Sequence, residues 1–159
     1  YIQPLTGAIM KLRFPNIREA LLQRTDFLQL MSAELILPPL GGSYSYNFML
    51  PPQLSAYATN INNTLGGVLG LTGSTGSASA QYGDLTTDWL YGQDTYYKYD
   101  VTSYLQQQLD ISGDNTNGLL FLPPSPSYNT TFNRAAFGNS QTDQPVRLKV
   151  YYISVQQDQ

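Results

Sequence analysis

Between Tyr96 and Leu122 the apolar positions switch from every second residue to the helical repeat and back, and the elements this predicts organise the rest of the chain. Tyr97 and Tyr99 alternate with Lys98 and Asp100, the pattern of a strand buried on one face. Val101, Tyr104, Leu105 and Leu109 then follow the repeat of about 3.6 residues. Asp100 stands where a carboxylate can accept from the free N–H groups of a first helical turn, so a helix is expected to start at Val101. Asp114, Asn115, Asn117 and Gly118 favour turns and left-handed backbone, which puts the helix end at Ser112 to Gly113. Leu119 to Leu122 reads as a buried strand closed by Pro123 and Pro124. One short helix between two strands suggests a sandwich with a lid.

The flanking segments repeat the strand pattern. From Ala8 to Phe14, Met10, Leu12 and Phe14 share one face and Lys11 and Arg13 the other, until Pro15 ends the run. Asn16 can cap a short helix through Ile17, Ala20 and Leu21. Phe27 to Leu37 aligns Ala33, Leu35 and Leu37 opposite Glu34. Tyr44, Tyr46 and Phe48 alternate in an edge strand or a packed loop, and Leu54, Ala56 and Ala58 give another short strand. The Gly-rich stretch 60–79 reads as a long flexible loop, partly ordered by Leu65, Val68 and Leu71. A strand resumes from Ser79 to Tyr82. Ser127 to Asn133 is expected as loop and Arg134 to Phe137 as strand. In Val146 to Val155, Val146, Leu148, Val150 and Tyr152 face one way and Arg147, Lys149 and Tyr151 the other. Some eight strands with one or two short helices describe a single all-β domain over residues 1–159, a jelly-roll-type β-sandwich.

A chain of 159 residues suits one domain that buries about 70% of the surface its unfolded form exposes. Only 12% of residues are charged, so the surface must be largely neutral and polar. The net charge of -3 and the scatter of eight Lys and Arg exclude the electrostatic footprint of a nucleic-acid binder. Without His or Cys, the chain lacks thiolate nucleophiles, the usual zinc and copper ligands and the commonest general base. The absence of Cys is compatible with an oxidising compartment. No apolar run approaches the length of a membrane span. The chain opens on Tyr1, so it is expected to be the trimmed remainder of a longer protein, with any export signal or lipid anchor in the missing part.

The segments YIQPLTG at Tyr1, SAELILP at Ser32, YDVTSYLQ at Tyr99, NTNGLLFLP at Asn115 and VRLKVYY at Val146 occur in an order that resembles a family of Bacteroidetes surface lipoproteins, domain of unknown function 4270. SAELIL, DVTSYLQ and NGLLFL also look like the jelly-roll modules related to the disaggregatase carbohydrate-binding domains. These resemblances imply a β-sandwich displayed outside the cell, attached to the outer membrane through a lipid on a preceding segment, and with glycan affinity. They carry no catalytic motif.

Candidate chemistry is sparse. Tyr82, Trp89, Tyr91 and Tyr96 fall close together in sequence, and such rings can stack on the C–H face of a sugar while neighbouring amides bond its hydroxyls. The competing reading packs these rings into a core or over a sheet edge. Asp110, Ser112, Asp114 and Thr116 alternate as in a calcium loop, but the glycine and final Glu are misplaced, so helix capping is the expected role. Asp84, Asp88 and Asp94 offer carboxylates without a spacing that specifies an acid and base pair, and no serine-hydrolase elbow occurs. Asn62 and Asn129 head N-x-T sequons. The expectation is therefore a non-enzymatic surface domain without metal or cofactor. Its partner is a glycan bound at Trp89, Tyr91, Tyr82 and Tyr96, or another envelope protein that covers about 800 Å² or more of its surface.

Overall fold

The computed structural model describes residues 1–22, 27–72, 78–88, 90–91, 94–111, 115–139 and 141–155. Its strands are β1 (Met10–Arg13), β2 (Phe27–Leu37), β3 (Gln53–Thr59), β4 (Leu65–Val68), β5 (Gly70–Thr72), β6 (Ala78–Ala80), β7 (Tyr82–Thr86), β8 (Tyr96–Asp100), β9 (Gly118–Leu122) and β10 (Arg147–Val155). Helix α1 spans Ile17–Leu22, α2 Thr102–Leu109 and α3 Ser127–Thr130. The fold is all-β and sandwich-like. Its main sheet is one continuous eight-stranded surface in the order β1-β9-β3-β7-β8-β2-β10, with β4 also on β3, and β5 and β6 form a separate hairpin.

The sheet folds over at β7. Gly83 and Asp84 pair with Leu54 and Gln53 of β3, whereas Leu85 and Thr86 pair with Tyr97 and Tyr96 of β8. One strand thus belongs to both halves, which is how a sheet turns a corner. The alternating apolar residues of each half meet inside. Leu54, Ala56, Leu119 and Phe121 face Ala33, Leu35, Leu37, Tyr97 and Tyr99, all fully buried. On the outer face Lys98 reaches Glu34 at 2.6 Å across the β2–β8 ladder, an exposed pair of modest worth.

Two phenols bolt the halves together. The Tyr97 hydroxyl donates to the Pro51 carbonyl at 2.6 Å, and the Tyr99 hydroxyl donates to the Leu54 carbonyl at 2.9 Å. Tyr99 also meets Phe121 edge-on at 5.3 Å between ring centroids, a geometry worth about 0.5–1.5 kcal/mol beyond burial. The ring of Tyr99 lies directly over Gly83, where any Cβ would stand 2.2 Å from Cζ and 2.3 Å from the hydroxyl oxygen. Glycine is required there because of that close approach.

Helix α2 continues from β8. The Val101 N–H donates to the Ala33 carbonyl at 2.9 Å, and Thr102 Oγ1 accepts from the Ala33 N–H at 2.9 Å, so the β2 ladder extends to the helix entry. Asp100 Oδ1 accepts from the Thr102 N–H at 2.9 Å, one residue into the helix from its expected start. Val101, Tyr104 and Leu105 are buried, as the 3.6-residue repeat predicts. The helix ends at Leu109, ahead of the expected stop at Ser112 to Gly113, which lies outside the described residues.

Three expectations require correction. The stretch 60–79, read as a long flexible loop, contains β4, β5 and the first part of β6, with 73–77 outside the described residues. Its glycines are what admit the pairing: a Cβ on Gly66 would stand 2.7 Å from the Ala58 carbonyl oxygen of β3. Ser127 to Thr130, read as loop, forms α3, and Arg134 to Phe137 makes only the isolated bridges of Ala135 to Ile2 and Phe137 to Pro39. Tyr152 keeps the face of Val146, Leu148 and Val150, opposite the buried Leu30, but near the strand end it is 45% exposed. The ladder steps from Tyr151 opposite Ser32 to Tyr152 opposite Leu30, a bulge in β2 that leaves Met31 outside the register and exposed. Of the two readings for Tyr44 to Phe48, the loop holds, closed by mutual Ser45 and Phe48 bonds.

Gly83→Ala is expected to displace the Tyr99 ring and break its bond to Leu54, at a cost of about 3 kcal/mol in urea unfolding. A variant with the wild-type midpoint would remove Gly83 from this role. Burial also raises the Tyr97 and Tyr99 phenols well above their ordinary value. The native state then holds these protons more tightly than the unfolded chain does. Their contribution is complete below about pH 10 and is lost above it at about 1.4 kcal/mol per pH unit for each phenol. Urea midpoints followed against pH should be level up to that point with respect to these groups and then fall steeply.

Candidate functional site

The structure distributes the aromatic residues proposed from the sequence. Gly83 and Leu85 of β7 face inward, so Tyr82 faces outward and is 46% exposed, beside Ser55. Tyr96 is half-buried beside Thr86, four residues further along the same strand, or about 13 Å away at the rise of an extended chain. These two rings therefore do not form one platform. Trp89 lies outside the described residues. Tyr91 sits in the connection from β7 to β8 and is 75% exposed, next to Leu90 at 77%.

That connection is held by Asp88. Its carboxylate Oδ1 accepts from the N–H groups of Leu90 at 3.0 Å and Tyr91 at 3.1 Å, the turn that Asp side chains characteristically close on their own backbone. The Asp88 N–H donates to Thr95 Oγ1 at 3.1 Å, which ties the two ends of the connection together. The side chains of Leu90 and Tyr91 are thus presented to solvent on an anchored backbone. Asp88 is committed to that turn, and Asp84 Oδ1 accepts from Gln53 Nε2 at 2.7 Å. Among the described residues no group of three or more acidic side chains is placed to hold a metal ion. Asp110 follows α2 as its C-cap, whereas Ser112 and Asp114 of the alternating set lie outside the described residues.

A cleft that the sequence reading did not find lies where β3 and β4 meet α2. It encloses about 320 Å³ and is lined by Asn60, Thr64, Gln107, Gln108 and Asn117, with Tyr104 as a wall. Its amides are already oriented. Asn60 Oδ1 accepts from the N–H groups of Asn62 at 3.0 Å and Thr64 at 3.3 Å. Gln108 is buried, and its Oε1 accepts from Asn115 Nδ2 at 2.8 Å. Tyr104 also borders a second cleft of about 260 Å³ with Met31, Asp100 and Ser103. Its hydroxyl is shielded from solvent and has no hydrogen-bond partner among the described residues, and burial pushes the phenol up to about 12. A third cleft of about 400 Å³, between Leu40 and the 141–144 loop, carries the carboxylate of Asp143.

The signal for the amide cleft was present in the helix itself. Gln108 falls four residues after Tyr104 and three after Leu105, hence on the buried face, where an amide demands a partner. Comparisons with protein-family models, curated proteins and solved structures give no match. Tyr104→Phe deletes a buried hydroxyl that no protein group satisfies, so thermal unfolding should show stability equal to the wild type or up to about 1 kcal/mol higher. A marked loss of stability would mean that the hydroxyl has a partner.

Proposed function

We propose that this chain is a non-catalytic cell-surface domain, a binding module with glycan affinity, borne by an outer-membrane lipoprotein of the kind its sequence resembles. The observation that carries the reading is the Asp88-anchored turn, which holds Tyr91 and Leu90 in solvent without a packing role inside the domain. An aromatic ring held out on an ordered backbone costs little entropy to dock against the C–H face of a sugar. The mostly uncharged chemistry of the chain fits a neutral, hydroxyl-rich ligand, and the engagement of Asp84 and Asp88 in structural bonds supports a role without catalysis.

One observation favours a second reading, a structural or assembly domain of an envelope complex. β10 is the last strand in the sheet order, and its end exposes Tyr151, Tyr152 and Ile153 at 54%, 45% and 51%. An edge of this length with apolar side chains is suited to pairing with another protein.

A glycan-array screen of the purified domain, with and without calcium, separates the two. Glycan binding that falls about tenfold or more in a folded Tyr91→Ala variant is the expected result, since an aromatic stack of about 1.5 kcal/mol corresponds to that factor. Absence of binding to every glycan would favour the assembly reading.

A further inference from the structure

We infer that the amide-lined cleft between β3–β4 and α2 is the subsite that reads the hydroxyl groups of a neutral saccharide. The inference rests on the reading of the domain as a glycan-binding module. The cleft's volume of about 320 Å³ suits one or two sugar rings, and its lining contains no carboxylate, ammonium or guanidinium group. With Tyr104 kept neutral by burial, every lining side chain is uncharged. Neutral hydroxyls would meet both donors and acceptors along the lining, while the Lys11 ammonium at its edge is taken up by the Asn60 carbonyl at 2.9 Å and Asn63 Oδ1 at 2.8 Å.

The polar groups are held before any ligand arrives. The Asn60 oxygen is fixed by two backbone N–H groups and the Gln108 oxygen by Asn115, which turns the remaining amide N–H groups of both side chains to other partners. Gln107 and Asn117 line the cleft and form no side-chain hydrogen bond with the described residues, so neither amide is committed elsewhere among them. Groups already ordered by secondary structure cost less to dock than mobile ones. The larger cleft at Leu40 lacks this character, because loop residues supply most of its lining and Asp143 gives it a charge.

The test is binding of the whole 159-residue domain to immobilised neutral oligosaccharides of glucose, mannose, xylose and N-acetylglucosamine, with sialylated glycans alongside. Gln107→Ala and Asn117→Ala remove side chains that form no hydrogen bond with the described residues, and unchanged melting temperatures would establish that both variants are folded. Each is expected to weaken binding to neutral oligosaccharides about fivefold, the loss of one hydrogen bond, with no preference for sialylated glycans in any form. Wild-type binding that survives undiminished in both variants overturns the cleft and leaves the glycan reading standing. No binding by the wild type to any of the glycans overturns that reading, and the cleft with it.

Discussion

The hydroxyls of Tyr97 and Tyr99 reach from β8 to main-chain carbonyls at the entry of β3, and the corner of the sheet depends on that crossing. Pro51 and Pro52 precede β3 and offer carbonyls but no N–H groups, so an ordinary ladder cannot start there. The phenol of Tyr97 satisfies the Pro51 carbonyl and the Leu85 N–H satisfies that of Pro52 at 3.0 Å. Each acceptor therefore finds a donor from the opposite half of the sheet, which for the buried Pro51 avoids the penalty of about 1–3 kcal/mol for an unpaired carbonyl. Phenylalanine at either position would fill the core equally well but would abandon a carbonyl.

The same link locates the cleft. Tyr99 fixes β8 against β3, and one residue later Asp100 is gripped by Gln81, whose Oε1 accepts from the Asp100 N–H at 2.6 Å while its Nε2 donates to the Asp100 carbonyl at 2.9 Å. Asp100 then caps Thr102, and Thr102 bonds Ala33 of β2. The start of α2 is consequently fixed from both halves of the sheet, and Tyr104 and Gln108 follow on its buried face. One wall of the cleft is β3 and the other is the helix that β8 feeds, so the phenol bolts set the distance between them.

Elements whose side chains repeat with a clear period were legible in the sequence. β2, with Ala33, Leu35 and Leu37 inward, runs from Phe27 to Leu37 as read, and β9 and α2 follow their apolar positions. Reading failed where geometry is set by backbone approach. β4 carries no buried side chain, because Gly66 lets it lie against Ala58, so no hydrophobic pattern announces it. The extra residue of β2 at Met31 is likewise set by the pairing with β10, which the apolar run from Phe27 to Leu37 does not record. The aromatic cluster misled for a related reason. Proximity in sequence placed Tyr82 and Tyr96 together, whereas an extended strand separates its ends by about 3.3 Å per residue.

That separation also bears on which part of the surface can recognise a ligand. A stacking platform needs rings brought together, and β7 holds Tyr82 and Tyr96 apart, which leaves Tyr91 as the most exposed of the described rings in the set. One exposed ring supplies apolar contact but little discrimination, because every sugar offers a C–H face. Discrimination comes from hydrogen bonds whose positions are fixed and whose loss leaves buried groups unpaired. In this domain the buried Gln108 on α2 is such a group, and the exposed Asn60 of the β3–β4 turn is likewise oriented by the fold. The chain's shortage of charge thus has a positive consequence: neutral amides need no counter-ion when partly buried, so they can line a cleft that stays both stable and ready to bond.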